Sequence, residues 1–478
     1  MKKKLLILPF MALTTGALVG CGGNKVPART GNTLMVCVYD GGYGTEWINK
    51  VAQDYETKTG VHVEWAADQN ILTRLQSDLK SPSYDIYMSH DISWQSYAAQ
   101  GLLEPLDDLY ESQVEGTGKT FKQRLTTGAA EISLFNDHYY KSCYTLGAGG
   151  FVYNIDLFER NHWEVPDTYD ELVTLCQTIV DADIPVGAGG LNSLVPIAWS
   201  STEFYWDYPV FEWWAQLAGL QKIEQWKSMK GTDGKNSTGY QIYDPNGNYK
   251  EFLQAYEMWY NLIAVTNHHS FSNTNPQDTV LNNACALFAS GQAAMIPYAQ
   301  WAKWEIQNNS GTQFTFDIAM MKTPRANSSV TTDYNYNVGF GDSIIVPKNI
   351  PDESKQLAKD FMRYLAGKEA CKTFVEKARG AFLAFDYSIV DLGELLNDKY
   401  IASVYSKLTT CTQFNLVSTA QIAIVNSAAI MPWINNDYYY TKAFAKPADY
   451  TASTIGATIY DAAQKGWPSW MQRAGVHD

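Results

Sequence analysis

The chain has 478 residues, enough for two or three domains and a large buried core. Hydrophobic residues make up 46% and charged residues 18%, which excludes a disordered chain. The net charge of −14 repels phosphate backbones and anionic headgroups and argues against nucleic acid as a partner. Aromatic residues are abundant, with 15 Trp, 31 Tyr and 19 Phe. Most of these rings must pack cores. Tyrosine at this frequency also favours wet, amphipathic surfaces, and the flat C–H faces of sugars stack on such rings. The seven cysteines are scattered and none forms Cys-x-x-Cys, so neither a zinc knuckle nor a small secreted disulfide framework is indicated. They are expected to be mostly buried thiols, and no metal or cofactor is expected.

Lys2, Lys3 and Lys4 open the chain, and the run from Leu5 to Val19 is mostly apolar without charge. A small residue and a cysteine follow. That order marks a secretory signal, too short and wrongly flanked for a spanning helix. Leu18-Val19-Gly20-Cys21 resembles a bacterial lipobox. The resemblance implies a signal peptide over 1–20 and a lipidated Cys21, with palmitate among its acyl groups, holding the protein on the outer side of the cytoplasmic membrane. The plain alternative is an apolar stretch that meets a cysteine by chance. Residues 21–32 are small and polar and read as a tether. No second long apolar run follows, so lipid is the only expected membrane contact.

Thr33 to Tyr39 is an apolar, β-branched run and reads as a buried strand. Asp40-Gly41-Gly42-Tyr43-Gly44 is a glycine-rich turn. Trp47, Ile48, Val51 and Tyr55 recur at helical spacing, and Gly60 ends that helix. Val61 to Trp65 is a second strand, Ile71 to Leu79 a second helix and Tyr84 to Met88 a third strand. Alternation of this kind builds a mostly parallel sheet with helices on both faces. The pattern restarts at Phe151-Val152-Tyr153-Asn154, a strand. Thr168 with Glu171 fits a capping box. Trp199 to Trp214 has no clean period. Glu251 to Val265 reads as helix, Ala293 to Pro297 and Ser343 to Val346 as short strands, and Lys355 to Ala366 as helix. No fixed internal repeat is present.

Several fragments resemble one family in their joint order. Met88-Ser89-His90-Asp91 leads to Gly101-Leu102-Leu103. Gly150 to Phe158 is followed by Val165-Pro166 and Thr168-Tyr169-Asp170-Glu171-Leu172. Ala286 to Met295 precedes Trp301, Leu357 to Phe361 follows, and Ile430-Met431-Pro432 comes late. Together they resemble the bacterial extracellular solute-binding proteins of carbohydrate ABC importers, the group that includes maltose-binding protein. The resemblance implies an α/β, two-lobed periplasmic-binding-protein fold, each lobe a mostly parallel sheet flanked by helices, joined by a multi-strand hinge. Crossings are expected near Lys141–Gly150, Ala293–Pro297 and Gly339–Val346. They divide the chain into a first lobe of 33–142 and 297–340 and a second of 143–296 and 341–478. A saccharide ligand, permease partners and a monomer are implied.

A sugar site needs stacking faces and planar hydrogen-bonding groups. Position in these motifs nominates Asp40 and Tyr43 after the first strand, Asp91 after the third, and Trp301 after the expected second crossing. Glu203 and Tyr205 resemble the family's Glu-x-Tyr pair, with Trp206 beside them. Tyr439 and Tyr440 fall near a late aromatic that stacks in maltose-binding protein. Structural alternatives stand beside these roles. Asp40 can be a turn residue, Asp91 a helix cap, the Tyr438–Tyr440 run a strand surface, and Trp206, Trp213 and Trp214 core residues. Arg379 before Gly380 reads better as a helix end than as a ligand contact. Met88, Ile92 and Gly147 depart from maltose-binding protein's ligand-binding pattern, so maltodextrin specificity does not carry over.

Gly116-Thr117-Gly118-Lys119-Thr120 looks like half a phosphate loop, but Gln113 stands where the first glycine belongs. Asp244 to Asn248 hints at a calcium loop, but Ala255 occupies its twelfth position. Both read as turns. Two other functions remain open at this level. A secreted glycoside hydrolase would use two carboxylates, Asp91 and Glu203 being the pair to consider. The same fold could instead hold a polyamine, amino acid or thiamine.

Overall fold

Leu34 to Val38 are all buried, so this apolar run has a single stable place, the middle of a sheet. The computed structural model of the chain describes residues 31–187, 193–200, 204–248, 250–263, 271–272, 280–417, 451–474 and 476–478. The expected signal segment and Cys21 lie outside the described residues. In chain order, the elements that position the site begin with β1 (Thr33–Val38), α1 (Glu46–Thr59), β2 (His62–Ala67), β3 (Ile86–Ser89), β4 (Ser142–Cys143) and β5 (Gly149–Asn154). Next come α2 (Tyr169–Asp181), β6 (Val195–Ile197), α3 (Asp207–Ala218), β7 (Ala293–Ala299), α4 (Ala302–Ser310), β8 (Ile318–Met320) and β9 (Tyr334–Tyr336). The chain continues through β10 (Ser343–Ile345), α5 (Asp352–Leu365), α6 (Lys368–Lys377), α7 (Lys399–Thr410), β11 (Thr412–Phe414) and α8 (Ala452–Ala474). Among the described residues, no helix is long and apolar enough to cross a membrane.

Local signals act as expected. Gly60 adopts the left-handed conformation at φ 73° and ends α1, and Thr168 with Glu171 forms a full capping box on α2. Arg379 follows α6 at φ 55°, a helix-end conformation. The phosphate-loop look-alike is a small hairpin in which Gln113 and Val114 pair with Lys119 and Thr120. In the calcium-loop look-alike, Asp244 accepts hydrogen bonds from Asn246 and Gly247 and closes a turn. All six described cysteines are free and buried. Helix α3 begins within the Trp199–Trp214 stretch, which shows no clean period because Asp207 through Ala215 are all buried. A helix enclosed on every side has no polar face to set a period.

Two sheets carry the two lobes. The first runs β2-β1-β3-β10-β4, with β1 parallel to both β2 and β3, and β10 antiparallel to both β3 and β4. The second runs β6-β7-β5-β8, and only its β6–β7 pair is parallel. The expected mostly parallel sheet is therefore corrected to a mixed first sheet and a mainly antiparallel second one. Strand β5 enters directly from a crossing rather than through a βαβ unit, so nothing forces it parallel.

The expected lobe boundaries also need correction. β8 pairs with β5, which puts that part of 297–340 in the second lobe. β10 pairs with β3, which returns the start of 341–478 to the first lobe. Helix α6 then packs on α1, and the chain goes back to the second lobe with α7, which packs on β8. The crossing expected at Ala293–Pro297 is instead continuous strand β7. A three-residue strand carries no pattern that names its partner.

The crossing segments lie side by side. Thr145 bridges Leu383, Gly147 N–H donates to Asn337 Oδ1 at 2.7 Å, and Asn335 Nδ2 donates to the Gly147 carbonyl at 2.7 Å. Gly147 and Gly339 meet backbone to backbone. A Cβ on Gly147 would lie 2.6 Å from Gly339 N, and one on Gly339 would strike the Thr145 carbonyl. Gly339→Ala is expected to push these segments apart and cost about 1–3 kcal/mol of stability, as overpacking does. Urea melts check this, and a midpoint equal to the wild type's would refute it.

Candidate functional site

A cleft of ≈ 460 Å³ opens where the lobes meet. The loop after β1 supplies Tyr39, Gly42 and Tyr43, and the end of β3 supplies His90 and Asp91. These are C-terminal ends of parallel strands, where open α/β sheets place their ligands. The second lobe supplies Tyr205, Trp301 and Glu305, and the crossing segments supply Tyr144 and Asp342. Glycine at position 42 is a packing requirement, because a Cβ there would lie 2.8 Å from the Trp301 ring.

The floor is a hydrogen-bonded triad. Thr145 donates to Asp342 Oδ2 at 2.7 Å, Tyr43 reaches the same oxygen at 3.2 Å, and the two hydroxyls lie 2.8 Å apart. Burial lifts the Asp342 carboxyl to about 6, against the nearby His90 charge and the Thr145 bond. Burial pulls His90 down, but the Asp91 bond at 3.0 Å and the charges of Asp91 and Asp342 outweigh it and leave His90 above its ordinary value. Asp91 itself sits at φ 50°, a strained conformation for a non-glycine residue.

An acid whose pKa rises on folding favours the native state most when it is protonated in both states. Relative to Asp342→Asn, the wild type is therefore expected to be most stable below about pH 4 and to lose that advantage as pH climbs through 6. Thermal melts of both proteins from pH 4 to 7.5 test this. A difference independent of pH would contradict it.

The second-lobe wall is aromatic and held by one carboxylate. Trp301 Nε1 donates to the Tyr205 hydroxyl at 2.9 Å. Tyr205 and Tyr298 both donate to Glu305 Oε2, at 2.5 and 2.6 Å. Burial raises the Glu305 carboxyl against those bonds. Across the cleft, Tyr43 meets Trp301 edge-on with centroids 5.8 Å apart.

Of the nominated residues, Tyr43, Asp91, Tyr205 and Trp301 line this cleft. Asp40 is half-buried in the same loop but is not part of the lining. Trp206 is corrected to a core residue, 1% exposed and edge-on against Tyr256. Trp213 and Trp214 are likewise core. Glu203, Tyr439 and Tyr440 lie outside the described residues. The capping alternative for Asp91 is not what the fold uses. The following helix begins at Trp94, and the Asp91 carboxylate turns to His90. Sequence reasoning missed Tyr39, His90, Tyr144, Glu305 and Asp342. His90 adjoins Asp91, Glu305 follows Trp301 by one helical turn, and Asp342 lies inside an expected crossing, so proximity to the nominated residues was the available signal. A larger groove of ≈ 760 Å³ lies between α1 and α5, but its lining comes from the first lobe alone and includes no nominated residue.

Two lobes joined by adjacent crossings, with the cleft between them, make this a two-lobed periplasmic-binding-protein fold. The chain belongs to the bacterial extracellular solute-binding proteins, whose family model matches residues 41–371. It is similar to two diacetylchitobiose-binding proteins of Streptomyces coelicolor. Identity to NgcE is 28% over 157 residues, 32% of this chain and 33% of that protein. Identity to DasA is 27% over 209 residues, 40% of this chain and 47% of that one. The matches thus span less than half the length of either relative. Among solved structures, RafE in complex with raffinose superposes with a TM-score of 0.62 at 16% identity, covering 90% of this chain and 99% of that one. The MalE domain of Bdellovibrio bacteriovorus bound to maltotriose gives 0.61 at 14%, covering 91% and 99%. At such identities these structures establish the shared fold.

Proposed function

We propose that the protein captures a saccharide, an oligosaccharide by preference, in this cleft and hands it to the permease of an ABC importer. One observation carries the reading. Tyr39, Tyr43, Tyr144, Tyr205 and Trp301 line the cleft with Asp91, Glu305 and Asp342 between them, and the described lining contains no Lys or Arg. Rings offer faces to sugar C–H groups, and the Asp91 and Asp342 carboxylates accept sugar hydroxyls, whereas Glu305 is engaged by the Tyr205 and Tyr298 hydroxyls. A lining without fixed cations suits a neutral or amino sugar better than a phosphorylated or uronic one. The names of NgcE and DasA make N,N′-diacetylchitobiose the first ligand to test.

The mechanism is closure. Ligand that touches both walls binds the closed form better than the open one, so it shifts the population toward closure. The permease then reads the closed shape. No bond in the ligand is made or broken. Lipid on Cys21 would keep this monomeric carrier beside its permease, with the tether over 21–32 giving it reach.

Calorimetry against N,N′-diacetylchitobiose, maltotriose, raffinose and galactose, followed by product analysis, tests the proposal. Saturable binding of a saccharide that is recovered unchanged is the expected result. Hydrolysis would establish the glycosidase alternative instead. Binding of a polyamine or amino acid with no saccharide binding would leave the fold and overturn the ligand class.

A further inference from the structure

One carboxyl group gathers the second-lobe wall. Glu305 lies on α4 one turn after Trp301, and its amide donates to the Trp301 carbonyl at 2.9 Å. Tyr205 comes from the turn before α3 and Tyr298 from β7, and their rings stack with centroids 4.2 Å apart. Both hydroxyls point at one oxygen, Glu305 Oε2. A phenol has a single proton to give. With that proton on the Glu305 side, the Tyr205 oxygen can only accept, and Trp301 Nε1–H is its donor. The indole N–H is thereby used inside the wall. What remains of the indole for a ligand is its π surface.

We infer that Glu305 is a positioning residue that sets the specificity of the cleft. By fixing the direction of the Trp301–Tyr205–Glu305 chain, it makes Trp301 a stacking platform for the apolar face of a sugar ring and withholds the indole N–H from ligand hydroxyls. The inference rests on the saccharide reading above, but its first test needs no ligand. Label the intact chain with nitrogen-15 tryptophan and assign the Trp301 indole signal by its loss in Trp301→Phe. That N–H should exchange slowly with solvent in the wild type.

Glu305→Gln keeps a carbonyl acceptor for both phenols and should leave exchange slow. Glu305→Leu removes the acceptor, frees Tyr205 to turn and should speed exchange by at least about tenfold. Tyr205→Phe takes away the indole's acceptor without touching the carboxyl and should do the same, which keeps the test decisive if the leucine variant folds poorly. Slow exchange in folded Glu305→Leu or in Tyr205→Phe would overturn the inference. N,N′-diacetylchitobiose titrations form the second arm. Affinity should fall in Glu305→Leu and survive in Glu305→Gln. Equal loss in both would mean that the carboxylate touches the ligand itself, and would also overturn the positioning role. Absence of saccharide binding by the wild type would defeat the proposed function, while the exchange experiment would still decide the role of Glu305.

Discussion

Replacing Lys407 with methionine is expected to destabilise the protein by about 3–5 kcal/mol, the cost of leaving a buried charge without its partner. Lys407 is 1% exposed and Glu212 0% exposed, and Lys407 Nζ lies 2.9 Å from Glu212 Oε2. The pair ties distant segments together. Lys407 also donates to the Gly149 carbonyl at the start of β5, and the Tyr336 amide of β9 donates to Glu212 Oε1 at 2.9 Å. It therefore holds both ends of the second-lobe segment where they leave for the crossings. Burial raises the Glu212 carboxyl, against the Lys407 charge, so the lone carboxyl in Lys407→Met would take up a proton readily. The penalty should shrink as pH falls. Lys407→Met with Glu212→Gln removes both charges, keeps the acceptor for Tyr336 and should recover most of the loss. Urea denaturation of the two variants at pH 7.5 and pH 5 is the measurement. A single variant as stable as the wild type would refute the buried ion pair as the source of this stability.

Trp301→Ala is expected to weaken saccharide binding by about 1–3 kcal/mol, roughly 5- to 150-fold in affinity. The ring is half-buried in the cleft wall, edge-on to Tyr43 from the other lobe, so its removal opens both a stacking face and an inter-lobe contact. Trp206→Ala provides the contrast. That ring is enclosed in the second-lobe core, and its loss should cost about 3–5 kcal/mol of folding stability while ligand affinity at saturation of the folded form stays the same. Calorimetry and denaturant melts on both variants separate the roles. A Trp301 variant with unchanged affinity would remove that ring from the site.

Much of the first lobe was legible because its signals are local. Leu34 to Val38 form an unbroken apolar run, Trp47, Ile48, Val51 and Tyr55 repeat at helical spacing, and Gly60 ends the helix in a left-handed conformation that glycine adopts without strain. The Thr168–Glu171 cap was equally local. Helix α3 was hidden because complete enclosure erases amphipathic spacing, and the same enclosure turned Trp206 from a nominated ligand contact into core. Within the site, Tyr43, Asp91, Tyr205 and Trp301 could be nominated because each stands in a recognisable motif. Asp342 and Glu305 stand close to such motifs, but their roles depend on partners far along the chain. Thr145 lies 197 residues from Asp342, and Tyr205 lies 100 from Glu305.

Strand positions, helix ends, the glycine-rich loop and the family's motifs are properties of short stretches, and residue order alone determined them. Which lobe owns β8 and β10, which way β5 runs, and which rings face the cleft were decided only in three dimensions. Strand pairing and burial are relations between segments separated by scores of residues, and packing energy, not local preference, selects among them.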